Sequence, residues 1–259
     1  AEDKAFGADK HGDELPDWVA DKQARLAKIR EAKAALEAEA KAKAAAEQAA
    51  CEKDDDKPRP GRKAAPPSDV PEPKAQRNFT DPESRILKTK DGYIQGYNAQ
   101  AAVDAQAQII VAHTLSNNGN DQAQFAPLLD GIKANLGRNP DEVSADAGYC
   151  SAPNLRTLSR RRIKGYIATG RQKHGSKSAT AKRPAKSGSL LARMTRELRR
   201  AGHRSRYRLR KQVVEPVFGQ VKQARGFRQF LLRGIEKVKA EWAMICTAHN
   251  LRKLALAAA

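Results

Sequence analysis

The chain has 259 residues, with 49 Lys and Arg against 30 Asp and Glu and a formal charge of +19. A surplus of that size attracts polyanions, and nucleic acid is the first partner it indicates, although a generic basic RNA-binding protein would share it. Three widely spaced cysteines, Cys51, Cys150 and Cys246, without a CxxC pair exclude a disulfide framework and a zinc knuckle and fit a reducing cytoplasm; no apolar run nears the roughly 18 residues that span a bilayer.

The charge is uneven. Residues 1–56 hold 10 basic and 15 acidic side chains, so the cationic surplus lies beyond them. The N-terminus carries no signal-peptide pattern, and its first residue is Ala1 rather than Met. From Asp17 to about Lys53, Ala, Glu, Lys and Arg dominate without Gly or Pro, which predicts one long helix. Leu26, Ile29, Leu36 and Ala40 follow a coiled-coil spacing, but Lys33 and Lys43 fall in the same seam and weaken it. We read 1–56 as a helical arm and 57–80, rich in proline and lysine, as an extended linker.

Beyond the linker, Tyr97 to Ala101 alternates apolar and polar positions, and Gln108 to Leu115 is apolar and β-branched. Asp104 to Ala107 joins these two strands as a hairpin. Asn118 to Asp121 then offers a turn, with Asp121 as a helix cap. Phe125, Leu128, Leu129, Ile132 and Leu136 mark one face of a helix that Gly137 closes. Glu142 to Asp146 reads as a strand, Asn154 to Arg162 as a helix and Gly165 to Thr169 as another strand. This alternation predicts an α/β core over 81–170, a single sheet with helices on its faces. Residues 171–190 read as a mobile basic loop, and 191–259 as C-terminal helices.

Two acids stand out. Asp146 ends a strand in Ser144-Ala145-Asp146-Ala147-Gly148-Tyr149, and Glu215 lies in a basic helical segment. A helix turning 100° per residue puts Arg208, Lys211, Glu215 and Lys222 on one face and Val214, Val217, Phe218 and Val221 on an adjoining apolar one. Flanking cations favour the ionised acid, which suits a metal ligand beside phosphates, although a plain surface salt-bridge face has the same pattern. Pro216 is expected to start or kink this helix. Arg225 and Arg228, interleaved with Phe227 and Phe230, are candidate DNA contacts, or else a corner between helices. His113 and His249 read as packed or hydrogen-bonded residues, and Cys150 as an unreactive thiol.

Asp146-Ala147-Gly148-Tyr149, together with Glu215 followed six residues later by Lys222, resembles the second and third acids of bacterial insertion-sequence DDE transposases. The family signature spaces a Tyr, an Arg, the Glu and a Lys as Arg208, Lys211, Glu215 and Lys222 are spaced here, with Arg in place of Tyr and Lys in place of Arg. Asp81 to Arg85, Gly96 to Asp104 and Arg225 to Phe230 are similar to this family as well, so the resemblance covers the chain from Asn78 onward. It implies an α/β, ribonuclease-H-like core with a helical insertion arm, acting on DNA rather than on a small molecule, with possible homo-oligomers. It also implies two Mg²⁺ ions, or Mn²⁺, held by three acids, with Asp146 and Glu215 serving as catalytic and metal-binding residues. Arg208, Lys211, Lys222, Arg225 and Arg228 would meet the DNA.

The family's first acid lies on the opening strand of the sheet, in an Asp-Gly-Thr-like phrase that this chain lacks. The expectation is therefore an incomplete core whose first acid lies upstream of Ala1, inactive by itself. Asp104 is the nearest substitute but reads as a turn residue; Asp81 and Asp91 are poorer. The alternative is a non-catalytic DNA-binding remnant that dimerises and modulates a full-length transposase.

Overall fold

The computed structural model describes residues 17–52, 68–89, 92–170, 188–200 and 210–258. They fall into two compact units, Ala1–Pro82 and Glu83–Ala259.

In the first unit, α1 (Asp17–Ala20) and α2 (Lys22–Glu52) replace the expected single helix. Asp21 makes the break. Its carboxylate accepts from the backbone N–H groups of Gln23 and Ala24, both at 3.1 Å, and so caps the longer helix. The end of the Pro-rich stretch folds onto this helix pair, through Arg77 on Glu39 at 2.6 Å and Phe79 against Trp18 at 5.6 Å between ring centroids.

The second unit starts with the hairpin β1 (Arg85–Lys88) and β2 (Tyr93–Gly96). Then follow β3 (Asn98–Val103), β4 (Ile110–Ser116), α3 (Phe125–Leu136), β5 (Glu142–Ala145), α4 (Ala152–Arg160) and β6 (Lys164–Ile167), the predicted alternation. After residues 171–187, which lie outside the described residues together with most of the expected mobile loop, come α5 (Leu190–Arg200), α6 (Arg210–Gly219) and α7 (Ile235–Ala258).

The expected single sheet is instead three two-stranded pairings among the described residues: β1 with β2, antiparallel β3 with β4, and parallel β5 with β6. Two apolar cores hold them. One gathers Leu129 and Ile132 of α3, Leu155 and Leu158 of α4, Ile167 of β6, Met194 of α5 and Ala112 of β4. The other joins Ile110 and Leu115 of β4 to Val217 of α6 and to Val238, Trp242 and Ile245 of α7. Ile110 and Leu115 are an odd number of residues apart, so strict alternation would put them on opposite faces. The register shift at Ala102/Val103 inserts one extra residue on β4 and returns both to the same face. Asp104 Oδ2 accepts from the N–H groups of Gln106 and Ala107 at 3.0 and 2.8 Å, which fixes the β3–β4 turn and gives this acid the expected turn role.

Leu136 departs from its predicted place. It is exposed at the end of α3, while Phe125, Leu128, Leu129 and Ile132 are buried as expected. Gly137 ends the helix with φ 71°, a left-handed conformation that glycine adopts without strain.

Candidate active site

β5 delivers Asp146 to the end of a parallel strand, where the chain turns through a short 3₁₀ segment, Ala147–Tyr149. Asp146 Oδ1 accepts from Gly148 N–H at 2.9 Å, so the side chain closes its own turn and keeps its other oxygen for another partner. Ser151 then caps α4 by accepting from Asn154 N–H at 3.3 Å.

A second acid reaches this turn. A side chain built at Gly148 would meet Asp121 Oδ2 at 2.6 Å and Asp146 Oδ1 at 3.0 Å, so the two carboxylates flank the same glycine. The sum of those distances is the most that can separate the two oxygens. Asp121 is not the helix cap expected from sequence: Asn120 Oδ1 takes that role, accepting from Gln122 N–H at 3.0 Å. Asp121 Oδ1 instead accepts from Asn98 Nδ2 at 2.8 Å and Gln100 Nε2 at 2.9 Å. Both donors stand on β3, two residues apart and hence on one face. Asn154, buried at the start of α4, ties the two acid-bearing turns together by donating to the carbonyls of Gln122 and Tyr149, each at 2.9 Å. Burial first, then the charges of Asp121 and Asp146, push the Tyr149 hydroxyl pKa well above its usual value of 10.0 and keep it protonated.

Glu215 is exposed on α6, an element apart from the Asp146 turn. Pro216 lies inside this helix rather than at its start. Having no N–H, it cannot bond the carbonyl of Gln212 four residues back, and Gln108 Nε2 supplies that bond at 2.8 Å. Val217 and Val221 bury the apolar face as expected, and Phe218 stacks at 6.0 Å on Trp242. Five residues of π-helix, Gln220–Ala224, continue α6.

The predicted cations have different surroundings. Arg208 lies outside the described residues; Lys211 is exposed, and Lys222 is exposed with its ammonium 5.7 Å from the Phe218 ring centroid. Arg228 is exposed and donates to Gln223. Arg225 is half-buried, its Nη1 has no hydrogen-bond partner, and burial followed by the charge of Arg252 lowers its pKa.

The family model for the transposase DDE domain matches residues 67–251. The chain belongs to that family. No curated protein and no solved structure matches it. For a transposase domain, the donor chemistry at the Asp146 turn is apt: carboxylate oxygens alone suit a hard divalent ion such as Mg²⁺ or Mn²⁺. Among the described residues no group of three or more His, Cys, Asp or Glu converges at metal-binding range, so the described part of the transposase domain offers an acid pair at this turn and not a triad.

The remaining candidates are placed as follows. His249 is buried as expected, its Nε2 2.9 Å from the carbonyl of Gln108. His113, expected to be packed or hydrogen-bonded, is exposed on an open depression shared with Gln124, Pro127 and Trp242, because its outward position on β4 leaves it beyond the core. Cys150 is a free, half-buried thiol whose pKa burial raises, and burial pushes Cys246 up to about 12. Sequence reasoning missed Asn98, Gln100 and Asn154. The signal for the first two was their period-two spacing on a strand; Asn154 had none, because its partners are turn carbonyls that only the fold brings close. Among the described residues no helix is long and apolar enough to cross a membrane.

Proposed function

We propose that the chain is the scaffold of a DNA transposase that cleaves and joins strands with divalent metal, Asp146 and Glu215 being the second and third acids of its triad. The observation that carries this reading is the Asp146 turn, a carboxylate fixed at the end of a parallel strand in a chain of the transposase DDE family. When bound, two Mg²⁺ or Mn²⁺ ions would supply an activated oxygen nucleophile and neutralise the leaving oxygen. Asp146 and Glu215 would hold those ions, Arg208, Lys211, Lys222, Arg225 and Arg228 would neutralise the DNA backbone, and the complete enzyme would act in the cytoplasm.

The first acid belongs to a strand not contained in the described residues, in a ribonuclease-H-like sheet. Supporting this, β3–β4 and β5–β6 pack into one core with α3 and yet, among the described residues, are not paired with each other, so β3 and β5 each keep an edge without a strand partner there. With two acids of three, the chain binds DNA but does not cut it. Purified chain is therefore expected to leave supercoiled DNA intact in Mg²⁺ or Mn²⁺; nicking that Asp146→Ala abolishes would overturn the inactivity. DNA affinity should fall steeply with salt, and Lys211→Ala with Lys222→Ala should reduce the log–log slope by about 2, at roughly 0.9 per phosphate contact. A salt-insensitive or absent interaction would contradict the DNA reading.

A second reading, a non-catalytic DNA-binding protein that dimerises through its helical arm, draws on the exposure of Leu26 and Ile29 on α2. Sedimentation distinguishes it: Leu26→Lys with Ile29→Lys would turn a dimer into a monomer.

A further inference from the structure

Asp121 has no part in the acid triad, yet it is held more elaborately than Asp146. Its Oδ1 is fixed by two amide donors from β3, one of which, Gln100, is itself buried and also donates to Asn98 Oδ1 at 2.7 Å. Asn98 is held in turn by donating to the carbonyl of Asn118 at 3.1 Å. With Oδ1 committed, Oδ2 is directed over Gly148, on the same side of the glycine as Asp146 Oδ1. Asn154, on α4, crosslinks the segment carrying Asp121 to the segment carrying Asp146. Elements β3, β5 and α4 thus converge to fix one acid against the other.

Holding two like charges at this range is unfavourable unless something offsets it. The two amide donors satisfy only Oδ1 of Asp121, and Tyr149 lies within the field of both carboxylates. A cation at Asp146 relieves the repulsion, and the same repulsion makes cation binding stronger.

From this geometry we propose that Asp121 is a positioning residue for Asp146: its clamped carboxylate sets the Asp146 turn beside Gly148 and raises the affinity of Asp146 for a divalent cation. The inference rests on the metal-binding role of Asp146 under Proposed function. Asp121 acts through its neighbour and the local field, and contacts neither DNA nor the reacting phosphate.

Mn²⁺ binding to the whole chain, followed by electron paramagnetic resonance, tests it. Asp121→Asn preserves shape and removes charge, and should weaken Mn²⁺ binding by about tenfold, a modest share of what two charges a few ångströms apart exchange in a partly wet site. Gln100→Ala, which keeps the charge and loosens the clamp, should weaken it by a smaller factor. Thermal unfolding of each variant shows whether it is folded at the binding temperature. A lower Tm with unchanged Mn²⁺ affinity means that Asp121 only packs the turn, and overturns the inference while leaving the role of Asp146 intact. If Asp146→Asn also leaves Mn²⁺ binding unchanged, or the native chain binds no Mn²⁺, the metal-binding role itself fails and this inference falls with it.

Discussion

Gly148 shows how far a single side chain governs the site. A methyl group there would press on Asp121 Oδ2 at 2.6 Å, and the two amides on Asp121 prevent that carboxylate from swinging aside at no cost. Gly148→Ala should therefore destabilise the fold by about 1–2 kcal/mol, the range expected of mild overpacking, read as a lower urea midpoint at unchanged slope. His249 makes a second residue-scale prediction. Burial, with Arg225 and Lys253 nearby, lowers its pKa from 6.5, against the opposing pull of the Gln108 carbonyl. The unfolded chain then binds the proton more readily between the folded pKa and 6.5, so this contribution to stability is level above 6.5 and falls as pH drops below it. Tm measured from pH 7.5 to about 5.5 should decline, and His249→Gln should flatten that decline.

Elements were legible where a local pattern determines them. The spacing of Phe125, Leu128, Leu129 and Ile132 fixes α3, and the alternation after Tyr97 fixes β3, because both depend on which neighbours in sequence share a face. Strand pairing was legible for the β3–β4 hairpin, whose partners are neighbours in sequence, but not between distant segments, and among the described residues the expected single sheet resolved into separate pairs. The site divides in the same way. Asp146 was visible in its motif; the Asp121 network was not, because Asn98 and Asp121 are 23 residues apart and meet only once β3 and the turn before α3 are in place. Packing between elements is close enough to test at Gly165 on β6, where an added methyl group would lie 2.4 Å from Leu158 Cδ1 on α4. Gly165→Ala should cost about 1–3 kcal/mol in equilibrium unfolding, as overpacking of a filled core does; a neutral result would mean that α4 moves freely against β6.

At the scale of the whole molecule, charge and acids divide the work. The chain carries +19, and the acids assigned to chemistry are few and differently held: Asp146 by its own turn and Glu215 on an exposed helical face. Binding to DNA needs only the first property, whereas chemistry needs the acids to share metal. The most direct test of that sharing is cleavage of the protein backbone by Fe²⁺ with ascorbate and peroxide, since hydroxyl radicals formed at a bound ion cut the chain beside its ligands. Cuts are expected near residue 146 and near residue 215 in the same molecule, suppressed by Mg²⁺ and lost in Asp146→Asn. Cuts near one of these positions alone, or cuts that Mg²⁺ does not suppress, would contradict metal sharing by Asp146 and Glu215.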